Sequence, residues 1–160
     1  RREAGGYGKE DRGLIRIHQF EKVEIFSICA PENSEKEQIL MLDCAKSLLD
    51  QLGLHYRVSL LAAQDCSFAS SKTYDLEVWL PGQERFYEVS SCSNCTDFQS
   101  RRAKIRFRKG SSEKPLLAHT LNASSLAIPR LMVALMEQFQ QNDGSVVLPE
   151  MLSKEIDGLW

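Results

Sequence analysis

Residues 1–24 read Arg1-Arg-Glu-Ala-Gly-Gly-Tyr-Gly-Lys-Glu-Asp-Arg-Gly-Leu-Ile-Arg-Ile-His-Gln-Phe-Glu-Lys-Val-Glu24. Arg1, Arg2, Arg12 and Arg16 flank a loop containing Gly5, Gly6 and Gly8, and a strand-like stretch with Phe20 and Glu24 follows. Such a loop can bring guanidinium groups to a polyphosphate, because arginine stays charged and its planar fork matches phosphate oxygens. Phe20 offers a face to a base, and Glu24 an acceptor to an ammonium or hydroxyl. The combination suits a nucleotide together with a small amino-bearing substrate.

Outward from this stretch, strands and helices alternate. Val23 to Ala30 is largely apolar, reads as a strand buried on both faces, and stops at Pro31. Ser34 and Glu37 have capping-box spacing, predicting a helix to about Leu52 that ends at Gly53. Its inward face is expected to carry Ile39, Leu42, Ala45, Leu48, Leu49 and Leu52. Tyr56 to Ala62, Leu76 to Leu80, Phe86 to Ser93, Ile105 to Arg108 and Leu116 to Asn122 are the further strand candidates, with a helical turn near Phe98 to Arg102. A second long helix is expected from Leu126 to about Asn142, with Ile128, Leu131, Leu135 and Phe139 inward, followed by a short tail. This order predicts an α+β fold with a mainly antiparallel sheet flanked by helices.

At 160 residues the chain can form one domain with a real core. Its net charge of −2 gives no global signal for nucleic acid, so any RNA contact must be local. The dense basic stretch is Arg101, Arg102, Lys104, Arg106, Arg108 and Lys109; it could meet RNA phosphates or guard an edge strand. No apolar run approaches the roughly 18 residues of a membrane helix, and no membrane partner is expected. Five cysteines without a secretory pattern suggest reduced thiols and a cytoplasmic setting. Cys92 and Cys95 have zinc-ligand spacing, but the sequence offers no second pair.

The opening block resembles motif 2 of the class II aminoacyl-tRNA synthetases, in its seryl form. Later blocks agree in order: Thr73-Tyr-Asp-Leu-Glu-Val-Trp-Leu-Pro81, Tyr87-Glu-Val-Ser-Ser-Cys-Ser-Asn94, Asp97-Phe-Gln-Ser-Arg-Arg102 and His119-Thr-Leu-Asn-Ala-Ser124. Ala127-Ile-Pro-Arg130 is similar to motif 3. The resemblance covers nearly the whole chain. It implies the class II catalytic fold, ATP and Mg²⁺ as cofactors, and L-serine and tRNA(Ser) as further partners. Serine would be activated to seryl-adenylate and then passed to tRNA.

By the same resemblance Arg1, Arg16 and Arg130 are catalytic phosphate ligands, Glu3 contacts the adenine region, and Phe20 stacks on the base. Glu88 and Ser91 would hold Mg²⁺–ATP; Glu24, Asn122 and Ser124 would bind serine. Glu77 is expected to be structural support. The family's N-terminal tRNA-binding coiled coil, its motif 1 and a further serine-pocket loop have no counterpart in residues 1–160. The chain is therefore expected to be the C-terminal part of a catalytic domain that is a homodimer at full length, and to be weak or inactive alone. The alternative is a non-catalytic or carrier-protein-directed paralogue, which would keep the same ATP residues.

Overall fold

The computed structural model describes Arg2 and residues 13–157. Arg1 and Glu3 lie outside the described residues. The elements are β1 (Lys22–Cys29), α1 (Ser34–Gln51), β2 (Tyr56–Leu60), β3 (Lys72–Leu80), β4 (Arg85–Asn94), α2 (Phe98–Ala103), β5 (Arg106–Phe107), β6 (Leu116–Leu117), β7 (His119–Ala127), α3 (Ile128–Phe139) and α4 (Glu150–Asp157). The main sheet is antiparallel throughout, in the order β1-β7-β4-β3-β2, and β5 and β6 form a separate ribbon.

The predicted α+β class holds, and its core lies between the sheet and helices α1 and α3. Leu49, Leu76, Val78, Leu80, Leu121 and Ala123 are essentially inaccessible, and Ala134 and Leu135 of α3 join the same core. Gly53 ends α1 in the left-handed conformation expected of a C-terminal glycine (φ +65°).

Several expectations are corrected. β1 is not buried on both faces. It lies at one end of the sheet order, and Val23, Phe26 and Ile28 are exposed while Ile25 and Cys29 pack on the core. An apolar run alone cannot tell a central strand from an edge strand. The capping box does not form: Ser34 Oγ donates to the Pro31 carbonyl and meets His119 Nδ1, while Glu37 accepts from Ser27 Oγ. The tertiary partners outcompete the local motif.

Ile39 and Ile128 are exposed rather than inward, and Gln38 and Met41 take the buried places on α1. The stretch expected as one strand from Leu116 to Asn122 divides between the ribbon and the main sheet. The tail contains helix α4. The basic stretch divides: Lys104 is a left-handed cap (φ 58°), and only Arg106 and Phe107 are extended, in β5.

Gln38 shows how α1 is locked to the sheet. Its buried amide nitrogen donates to the Lys72 carbonyl at 3.0 Å and the Cys92 carbonyl at 3.1 Å. Gln38→Ala should lower unfolding stability by about 2 kcal/mol, at about 1 kcal/mol per lost hydrogen bond. Urea denaturation is the check; a loss below about 0.5 kcal/mol would show that the amide is not a significant tie.

Candidate active site

One cavity of about 400 Å³ opens on the sheet and takes in every described candidate. Its lining includes Arg16, Phe20, Glu24, Glu88, Ser91, Asn122, Ser124 and Arg130. These side chains come from four separate parts of the chain, so their convergence is a property of the fold.

Two register shifts create the convergence. In β4, Leu76 pairs with Ser90 while Glu77 pairs with Glu88, leaving Val89 as an extra residue. Side chains of a regular strand alternate, so residues three apart would face opposite sides. The bulge cancels one step, and both Glu88 and Ser91 reach the cavity. In β7, Val23 pairs with Leu126 and Glu24 with Ser124, leaving Ser125 extra. Asn122 and Ser124 face the cavity before this bulge, and Ala127 does so after it.

Arg130 ties the site together. It follows Pro129 in the first turn of α3, where a missing proline N–H costs nothing. Its Nε donates to the Ile15 carbonyl at 3.2 Å, and its Nη1 donates to the Glu88 carbonyl at 2.7 Å. Nη1 also lies 3.5 Å from Glu88 Oε2. Ile15 is buried in the core, so the segment carrying Arg16 and Phe20 is anchored beneath the arginine.

At the other end, Lys22 Nζ lies 2.6 Å from Glu24 Oε2 and donates to Ser124 Oγ at 2.8 Å. Ser124 Oγ in turn donates to Glu24 Oε2 at 3.3 Å. Lys22 is absent from the sequence-based set, yet it was legible: residues i and i+2 of a strand share a face. Ser93, opposite Asn122 in the sheet, is a second missed lining residue. Asn122 Nδ2 also reaches Cys95 Sγ at 3.6 Å. Burial raises the pKa of Cys95, and pushes that of Cys92, which donates to the Gln38 carbonyl, up to about 11. Both thiols stay protonated at neutral pH, and His119 is engaged with Ser34. Glu77 is structural, as expected: it pairs with Arg57 and accepts from Ser59 across β2 and β3.

Asp75 of β3, paired with Ser91, is a further residue absent from the sequence-based set. Burial, reinforced by Glu88 and then Glu77, raises its carboxyl from the ordinary 3.8 to about 6, against the hydrogen bond from Ser91 and the charge of Arg130. Its Oδ1 is buried without a hydrogen-bond partner. Carboxylate and hydroxyl oxygens at Glu88 and Ser91, beside this orphaned oxygen, are hard donors that fit a divalent cation such as Mg²⁺.

Because the folded pKa of Asp75 lies above the unfolded one, stability should fall as pH rises from about 4 to about 6 and stay lower above that range. Asp75→Asn should flatten this segment and raise stability at pH 7 by about 1 kcal/mol, a figure discounted for partial solvation. Denaturation midpoints of both proteins at pH 5 and pH 7.5 test this; parallel pH profiles would show that Asp75 is ionised like an ordinary surface carboxyl.

Known proteins resemble this chain in sequence and in fold. Residues 1–139 match the family model for the tRNA synthetase class II core domain (G, H, P, S and T). The serine–tRNA ligase of Xylella fastidiosa (strain M23) is 54% identical over 99% of this chain, and that of Nitratidesulfovibrio vulgaris (strain Miyazaki F) is 56% identical over 99%. Each match covers 37% of the relative, so the chain spans a little over a third of their length. The seryl-tRNA synthetase of Pyrococcus horikoshii, solved with ATP, superposes with a TM-score of 0.88 at 43% identity, over 95% of this chain and 33% of that one. The cytoplasmic serine–tRNA ligase of Naegleria fowleri, solved with AMP, gives 0.83 at 34% identity, over 91% and 34%. The chain belongs to the class II tRNA synthetase core domain family, and within it stands beside the serine–tRNA ligases.

Proposed function

We propose that this chain carries part of the catalytic centre of an ATP-dependent serine–tRNA ligase. The observation that carries the reading is the cavity itself, with two arginines at one end and a lysine–carboxylate–hydroxyl cluster at the other. In the first step a serine carboxylate oxygen attacks the α-phosphorus of ATP, and the bond to pyrophosphate breaks. In the second, the terminal hydroxyl of tRNA(Ser) attacks the seryl carbonyl carbon, AMP leaves and the hydroxyl proton is released. Neither step needs an enzyme nucleophile; the site has to hold substrates in line and stabilise phosphate charge.

Arg16 and Arg130 are assigned to the phosphates, and Phe20 to the adenine face. Glu24, Asn122 and Ser124 are assigned to serine. Glu24 is already paired with Lys22, which orients the carboxylate before the substrate ammonium arrives. Glu88 and Ser91 would hold Mg²⁺, whose chemistry is to neutralise charge on the phosphates. Arg1 as an α-phosphate ligand and Glu3 near adenine complete the proposal by family resemblance. The ATP and AMP held by the two structural neighbours support the nucleotide assignment. Residues 1–160 as a partial catalytic domain, a homodimer at full length and a cytoplasmic location belong to the same reading. No described helix is long and apolar enough to cross a membrane.

A non-hydrolysable seryl-adenylate analogue should raise the melting temperature of the chain more than its alanyl counterpart, since a pocket built for a hydroxyl leaves polar groups unpaired without it. Equal shifts would remove serine from the proposal, and no shift in a folded sample would remove the adenylate. Arg130→Ala should weaken ATP binding about 10- to 100-fold, the value of one charge-assisted contact, measured by calorimetry.

A further inference from the structure

The cavity continues at its serine end into a surface that the assigned residues do not use. Ser67 lines the cavity, and its neighbour Phe68 is 91% exposed. The loop holding them is fastened beside the end of β4: Ser71 N and Ser71 Oγ both donate to the Asn94 carbonyl. Asn94 follows Ser93, which pairs with Asn122, so Phe68 stands by the serine residues and away from Glu88 and Arg130.

Phe68 is not a stray apolar side chain. Its ring meets Phe98 of α2 edge-on, with centroids 5.4 Å apart and planes at 87°. The other partner of Phe98 is Arg102, whose guanidinium lies 3.6 Å from the ring centre and donates to the Phe98 carbonyl. Phe68 is therefore held in place while its face stays open to solvent. Lys104, Arg106 and Arg108, further along the chain from Arg102, are also exposed. Arg101 and Lys109 are instead paired with Asp97 and Glu32.

An open aromatic face held beside a second ring and a guanidinium plane has the composition of a single-stranded nucleic-acid platform, where bases stack and arginine meets phosphates. We propose that Phe68, supported by Phe98 and Arg102, stacks an unpaired base near the 3′ end of tRNA and directs the terminal hydroxyl toward the seryl carbonyl. This rests on the ligase reading above, which requires that end to arrive at the serine side of the cavity.

The test uses the 160-residue chain and a fluorescein-labelled single-stranded RNA of seven nucleotides ending in CCA, followed by anisotropy. Phe68→Ala should weaken binding about 5- to 100-fold, and Phe68→Leu nearly as much, because an aliphatic side chain keeps area but not stacking. Phe68→Trp should restore it. The seryl-adenylate analogue should stabilise the Phe68 variants as it does the parent chain. Unchanged RNA affinity in Phe68→Ala, or no RNA binding by the parent chain while the analogue still stabilises it, would overturn the platform and leave the ligase reading standing. Loss of analogue stabilisation in the parent chain would instead remove the ligase reading. Concentration-dependent self-association that Phe68→Ala abolishes, with RNA binding unaffected, would make Phe68 a contact between copies and overturn the proposal.

Discussion

The pairing of β4 between β3 and β7 is the constraint on which the site depends. In a regular antiparallel strand a ligand set can draw only on every second residue. Here Val89 and Ser125 are each inserted as one extra residue, and the parity of the side chains changes within the strand. The same strands thus bury Leu76, Leu121 and Ala123 under α1 and α3 while presenting Glu88, Ser91, Asn122 and Ser124 to the cavity. Core and site are two faces of one hydrogen-bonded ladder, so the register that forms the core also sets the geometry of the chemistry.

Electrostatics follow from that placement. The cavity draws carboxylates and cations together in partial burial, where like charges cannot all remain ionised cheaply. The structure answers in pairs: Lys22 with Glu24 at one end, Arg130 with Glu88 at the other. Among the described residues Asp75 makes no ion pair, and burial pushes its pKa up. Arg130 has a second duty, since two of its donors hold the Ile15 and Glu88 carbonyls. The guanidinium proposed to meet phosphate is thus already oriented by the backbone it rests on, which reduces the rearrangement needed when a ligand binds.

Much of the fold was legible because its signals are local. α1 shows its period and its terminal Gly53, the strands β2, β3 and β4 are bounded by turn residues, and Pro129 marks the start of α3. The misreadings have a common physical origin. Ser34 and Glu37 match a capping box, but His119 and Ser27 offer them partners distant in sequence. Val23, Phe26 and Ile28 look like core residues, but their position at the sheet edge leaves them exposed. Gln38, polar and outside the expected apolar face, is buried because two strand carbonyls take its amide.

By itself the sequence determined the class of the fold, the helix periods and, through three blocks resembling a known family, which residue types to bring to a nucleotide and an amino acid. These are properties of short segments, each with its own propensity and chemistry. Only the tertiary structure decided that Glu88 and Ser91 share a face, that Lys22 stands against Glu24, that Asp75 stands opposite Ser91, and that the loop of Ser67 and Phe68 reaches the cavity. The reason is that a bulge, a sheet edge and a desolvated carboxyl are relations between segments. Strand pairing and close packing create them, and no single segment holds the information.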